Sequence, residues 1–214
     1  MLTRFLLFSE NYSIMPLHFP LLRKRILALL AKEIDPRLTY HNVRHTREVL
    51  EDAERIAAAE GFTHSDELLL LKVAALYHDT GFLFTYANHE EQSCAFARRD
   101  LQRSGFSPEQ LDRICSIIMA TKIPQSPVDR LEQVICDADL DYLGREDFEP
   151  ISNSLKLEFL EFGVVTTESE WEQKQIHFME AHHYFTKTSQ QLRAPRKAER
   201  LADLRERLAV FTNK

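Results

Sequence analysis

Apolar residues recur along this chain at three- and four-residue intervals, and no segment sustains the strict alternation of a half-buried strand. The pattern predicts an all-α bundle. Leu21 to Ile34 reads as a first helix stopped by Asp35-Pro36, and a longer one runs from about Tyr40 to Glu60 before Gly61. A third spans about Asp66 to His78, with Thr63 and Asp66 spaced as a capping box and Gly81 as its stop. After a loop through Phe82 to Ala87, His89 to Arg103 reads as helical and closes at Gly105. Ser107-Pro108-Glu109-Gln110 then combines a Ser cap, Pro at the first helical position and Gln three residues after the cap, and this helix ends near Lys122. Val128 to Leu143 and Glu146 to Phe162 follow. Thr167-x-x-Glu170 opens a long helix reaching about Leu192, and Pro195 separates a last charged helix to about Val210. Residues 1 to 20 hold only short apolar runs and are expected to be weakly structured, with Met15 as an alternative initiator; 21 to 214 is expected to form a single helical domain.

Composition agrees with helices. Five Gly and eight Pro are few for 214 residues, and a hydrophobic fraction of 44% is ordinary for a globular chain that buries a core without staples. The net charge of -6, with no block of Lys or Arg, leaves no electrostatic footprint for nucleic acid or an anionic membrane. Cys94, Cys115 and Cys136 lack the C-x-x-C spacing of zinc or redox sites and are odd in number, so they read as core thiols of a reducing cytoplasm. No stretch approaches the roughly 20 apolar residues that span a bilayer. The expected location is cytoplasmic, and the oligomeric state is not legible.

Three segments carry chemistry. Tyr40-His41-Asn42-Val43-Arg44-His45 puts two histidines four apart, on one face if the segment is helical, a pattern that is commonplace by itself. Ala75-Leu76-Tyr77-His78-Asp79-Thr80-Gly81 ends a strongly apolar helix on an adjacent imidazole and carboxylate. Such a pair either hydrogen-bonds the backbone around Gly81 or binds something, because a carboxylate after a buried run costs free energy unless it is paired or ligates a metal. In Val134-Ile135-Cys136-Asp137-Ala138-Asp139-Leu140-Asp141 an apolar helix meets three carboxylates at alternate positions, with Asp137 and Asp141 on one face and Asp139 pointing away. Some of the three must therefore face the interior.

Taken in order, His45, then His78-Asp79, then Asp139 in a helical chain resembles the HD superfamily of metal-dependent phosphohydrolases, over about residues 37 to 145. The resemblance implies an HD-domain helical bundle with additional C-terminal helices. It also implies a divalent ion held by His45, His78, Asp79 and Asp139, with Asp137 the alternative for the last ligand. Two imidazoles and two carboxylates suit Mn, Fe, Ni, Zn or Mg, and four ligands on an ion that accepts six leave room for water and a phosphoryl oxygen. Asp79 would then serve catalysis as well as ligation. The Tyr-His-Asn-x-x-His wording is similar to the corresponding segment of the cyclic-nucleotide phosphodiesterases, in which the earlier histidine protonates the leaving oxygen, and this implies His41 as general acid.

The resemblance also gives His89 the place of an additional ligand in two-metal members, including the HD-GYP type. Those members carry a His-His pair on the next helix, where this chain reads Ala120-Thr121-Lys122. One tight ion is therefore expected, with His89 the contact for a weaker second. Lys122, Arg145, His182 and Lys187 are candidates for contacting an anionic substrate, and each is also what a surface or core position ordinarily contains. The activity implied is hydrolysis of a nucleotide or other small phosphoester. The alternatives are a diiron oxygenase, which wants a fuller set of histidines, and a ligand-binding HD domain without turnover, which would show an eroded ligand set.

Overall fold

The computed structural model describes residues 18–212, and the expectations for the preceding segment, including the choice between Met1 and Met15, lie largely outside them. Among the described residues there are ten α-helices and no strand. They are α1 (Phe19–Glu33), α2 (Val43–Ala59), α3 (Ser65–Tyr77), α4 (His89–Leu101), α5 (Pro108–Ala120), α6 (Arg130–Asp139), α7 (Phe148–Glu161), α8 (Glu168–Ala181), α9 (Lys187–Leu192) and α10 (Ala194–Thr212). None is long and apolar enough to cross a membrane.

The core is organised around α3. Its residues Leu71 and Val73 to Tyr77 are fully buried, because the run is apolar apart from Lys72, which pairs with Glu54, and α1, α2, α5 and α6 cover it. A second cluster joins Tyr40, Leu140, Tyr142 and Leu143 to Phe148, Ile151, Ile176, Met179 and Leu204, so α7, α8 and α10 pack on the residues that follow α6. The capping box at Ser107 and Gln110 opens α5 as its sequence predicts. The cysteines are free, with Cys115 and Cys136 buried.

Three local expectations are corrected. The second helix starts at Val43, not near Tyr40: Asn42 is extended and its side chain accepts from the Arg44 amide at 2.9 Å, so the better cap wins and His41 lies before the helix. Thr63 and Asp66 form no capping box; His64 precedes α3 and offers no side-chain cap. The long helix to Leu192 is broken at His182 by a tertiary contact. The buried Asp137 carboxylate accepts from the amides of Phe185 and Thr186, both at 2.8 Å, and from the Thr186 hydroxyl at 2.7 Å. Thr186 in turn caps α9. Asp137 is thus spent on the chain path, and His182, His183, Tyr184 and Lys187 do not share one helix.

Tyr77 is buried, and its hydroxyl meets Asp100, which also takes a bidentate ion pair from Arg25 at 2.8 and 2.5 Å. Burial works to raise the Asp100 carboxyl, but its bonds to Arg25 and Tyr77 prevail and hold it below the usual range. Its contribution to stability is therefore present above the unfolded-state value and lost as pH falls through the lower folded value. Asp100→Ala leaves the Tyr77 hydroxyl without this partner, and urea unfolding at neutral pH is expected to show a loss of about 1–3 kcal/mol. The deficit should shrink in acid, and an equal deficit at every pH would count against this linkage.

Candidate metal centre

Each helix end delivers one part of the site. His45 stands in the first turn of α2, His78 and Asp79 follow the last residue of α3, and Asp139 closes α6. The C-terminal half of α3 is buried from Val73 onward, so the residues that follow it are buried as well, and His45, His78 and Asp79 are all shielded from solvent. Four donor atoms converge. His45 Nε2 lies 3.1 Å from Asp139 Oδ1, 3.3 Å from Asp79 Oδ2 and 3.4 Å from His78 Nε2. His78 Nε2 lies 3.1 Å from Asp79 Oδ2 and 3.6 Å from Asp139 Oδ1. With metal–donor bonds of about 2.1 Å, adjacent ligand atoms stand roughly 3.0 Å apart at right angles and 3.4 Å apart in a tetrahedron, so the separations among His45, His78 and Asp79 fit one shared ion, with Asp139 beside His45 and His78 at its edge.

Two further observations support that fit. Asp79 Oδ2 is buried without a hydrogen-bond partner, an arrangement that costs free energy unless something at the centre compensates it. The His78 Nδ1–H donates to the Ala75 carbonyl at 2.8 Å, which fixes the tautomer that leaves Nε2 free to ligate. Electrostatics point the same way. Burial alone would lower the His45 imidazole, yet the carboxylates of Asp139 and Asp79 outweigh it and raise it to about 9, and they likewise raise His78. Burial works to raise Asp79 and Asp139 in turn, and the two imidazoles hold both well below the usual carboxylate range. This centre stabilises positive charge, whether a proton or a cation carries it.

The HD domain family matches residues 42–141, from the cap of α2 to the turn after α6, and the match takes in all four of these residues. The chain carries an HD domain. A search of curated proteins finds no match to it. The HD domain belongs to a superfamily of metal-dependent hydrolases, and the buried His45, His78 and Asp79 of this one form a group able to hold a divalent ion.

Around these donors lies a second layer, built in part by residues outside the HD match. His41 Nδ1 is hydrogen-bonded to Glu158 Oε1, and Glu158 Oε2 accepts from the amides of Tyr40 at 2.9 Å and His41 at 3.0 Å. Phe82 stacks on His41 with ring centroids 4.5 Å apart, and on its other neighbour, His89, at 3.9 Å. His41 lies one layer out from the ion site, its ring centroid 5.8 Å from that of His45. His89 Nε2 lies 3.5 Å from Asp79 Oδ1 and 3.6 Å from Glu90 Oε1. The two oxygens of Asp79 thus face different imidazoles.

Glu158, Phe82 and Glu90 were not singled out from the sequence. Glu158 had a signal: it occupies an apolar stripe of α7 that runs Ile151, Leu155, Glu158, Phe162, and it is fully buried there. Glu90 and Phe82 had none, since a Glu in a first helical turn and an aromatic in a loop are ordinary.

Of the four candidates for substrate contact, only Arg145 comes near the candidate ligands. Lys122 pairs with Glu91 and reaches Asn88 Oδ1 at 3.4 Å. Arg145 is held by Asp147 at 2.6 Å, Glu48 at 3.2 Å and Asp52 at 3.6 Å, and it borders a small hollow of about 40 Å³ that His45 and Asp139 also line, so it is the one candidate brought near the ion site, though already paired with acids. His182 borders a hollow of about 210 Å³, where both its ring nitrogens are buried without a partner, and burial pushes its imidazole down to about 3. Lys187 begins α9, whose next residue Thr188 bonds Glu60 at 2.8 Å, roughly 20 Å along α2 from His45.

Gly81 controls where His89 sits. Its amide donates to Ser93 Oγ at 2.7 Å, and a Cβ on it would lie 1.8 Å from the His89 carbonyl oxygen, so no larger residue fits without moving the start of α4. Gly81→Ala is expected to cost about 1–3 kcal/mol in urea unfolding through overpacking. A variant as stable as the parent would show that α4 is not locked to this turn.

Proposed function

We propose that this HD domain is a metal-dependent phosphohydrolase acting on a small phosphoester. The reading is carried by one observation: three buried donors, one of them the partnerless Asp79 Oδ2, converge with the half-buried Asp139 alongside, next to a histidine already oriented by a buried carboxylate. His45, His78, Asp79 and Asp139 would hold the ion. A divalent ion bound there supplies Lewis-acid polarisation of a phosphoryl oxygen and activation of water. The protein's own contributions are position and protons. Glu158 holds the His41 ring through Nδ1 and Phe82 braces its face; His41, which lines the cavity, would protonate the leaving oxygen from Nε2 as the imidazolium. Asp79 presents Oδ1 to His89 and Oδ2 to His45 and His78, and a second, weaker ion would be held on the His89 side, near Glu90.

The testing experiment is a phosphate-release screen of the purified protein against phosphoesters and nucleotides with Mn, Mg, Ni or Fe supplied. Metal-dependent release from at least one phosphoester is expected. Bound metal without turnover of any of them would overturn the hydrolase reading and favour a binding domain.

A further inference from the structure

His41, Asp79, His89 and Asp139 line a cavity of about 300 Å³, and its remaining walls are unlike a nucleotide site. Leu155 and Phe159 of α7, Val164 from the following turn, Trp171 and Phe178 of α8 and Ile123 after α5 enclose it. Lys174 is the one lysine or arginine among the described residues that line it, and it is exposed. The carboxylates of Asp79, Glu90 and Asp139 face the same space. One or two divalent ions can compensate these carboxylates and a single phosphate, but a polyphosphate would bring several further charges with one exposed lysine to meet them. Aliphatic and aromatic walls, by contrast, gain free energy only by covering apolar surface. Ile123 and Val164 leave apolar surface in contact with water at this cavity, Ile123 being 53% exposed and Val164 37%. Apart from Ile123, these apolar walls come from residues beyond the HD match at 42–141.

We propose that the substrate is a single-phosphate ester whose organic part is apolar, an alkyl or aryl group seated among Leu155, Phe159, Trp171 and Phe178 with its phosphate at the ion site. This specificity rests on the hydrolase reading above and goes beyond it. The additional C-terminal helices supply it, while the helices of the HD domain supply the chemistry.

Trp171, the single tryptophan of the chain, lies in the cavity wall, so binding can be read from its fluorescence without turnover. The full-length protein, loaded with Mn or another divalent ion that it retains, is titrated with alkylphosphonates from methyl to octyl. They resemble phosphate monoesters but lack the scissile P–O–C bond. Each buried methylene is expected to tighten binding about 4-fold until the cavity is filled, so hexylphosphonate should bind on the order of 100-fold or more tighter than methylphosphonate. Val164→Asp and Ile123→Asp change partly exposed wall residues and leave the buried core untouched. Each should weaken hexylphosphonate about tenfold or more and leave methylphosphonate nearly unchanged.

A series that binds with the same affinity at every chain length would overturn the apolar pocket and leave the hydrolase reading standing. Hexanol binding as tightly as hexylphosphonate would keep the pocket and overturn phosphate recognition. Failure of every phosphonate to bind the metal-loaded chain would overturn both. Tighter binding of methylene-bridged ADP than of hexylphosphonate would replace the proposal with a nucleotide.

Discussion

Replacing His78 or Asp79 by alanine is expected to strip the chain of its divalent ion and to lower phosphate release by on the order of 10³-fold or more, the scale of several kcal/mol of lost transition-state stabilisation. The expectation follows from geometry. His78 Nε2 and Asp79 Oδ2 are 3.1 Å apart and both within 3.4 Å of His45 Nε2, so either deletion removes a corner from the shared shell. Asp79→Ala also leaves His45 and His78 without one of the carboxylates that sustain positive charge at the centre. Elemental analysis of each purified variant, read beside its circular dichroism, separates metal loss from unfolding. Asp79→Asn is the conservative control, keeping shape while removing charge, and should also lose metal. Full metal content in folded His78→Ala and Asp79→Ala would remove these residues from the proposed site.

His41→Ala should behave in the opposite way, keeping metal and fold while losing turnover by about 10² to 10⁴, the usual contribution of a positioned general acid. His41 is not among the four converging donors, and its partner is Glu158. The loss should be smaller with a nitrophenyl ester, whose leaving group needs little protonation. Glu158→Gln should follow the same pattern more mildly, because the imidazole would remain while its tautomer and orientation slacken. It also faces the amides of Tyr40 and His41, so its fold is checked by thermal unfolding beside kinetics. His45→Ala, in contrast, should lose metal and activity together. Loss of metal from His41→Ala with retention in His45→Ala would reverse the two assignments, and full activity in both would place the reaction elsewhere.

Much of this molecule is legible along the chain because its determinants are local. Apolar spacing, the Ser107 capping box and the scarcity of glycine specify helices through interactions within a few residues, and α1 to α8 lie close to the segments whose spacing predicts them. The pair His78-Asp79 is conspicuous for a local reason too, since a carboxylate after the apolar run Val73 to Tyr77 needs a purpose. The ordered set completed by His45 and Asp139 carried the HD resemblance, and the HD match at 42–141 agrees with it. Local signals failed where two of them competed or a distant group intervened. Asn42 displaced Tyr40 and His41 from the second helix, and the buried Asp137, some fifty residues earlier, broke the predicted late helix at His182 by capturing the amides of Phe185 and Thr186.

Periodicity, caps and one buried acidic residue are short-range facts, so the sequence alone determined an all-helical chain and singled out the residues of its candidate ion site. Only the tertiary structure decided what surrounds that site. It paired His41 with Glu158 across 117 positions, turned the two oxygens of Asp79 toward different imidazoles, and left Lys122 and Arg145 in ion pairs with neighbouring acids. It also laid α7 and α8 over the HD helices so that their apolar side chains became the walls of the cavity. The physical reason is that a helix stripe records which residues are buried but not against what. Partners far apart in the chain meet only when the packing of whole helices is chosen, and that choice is made by the summed burial of many side chains rather than by any local motif.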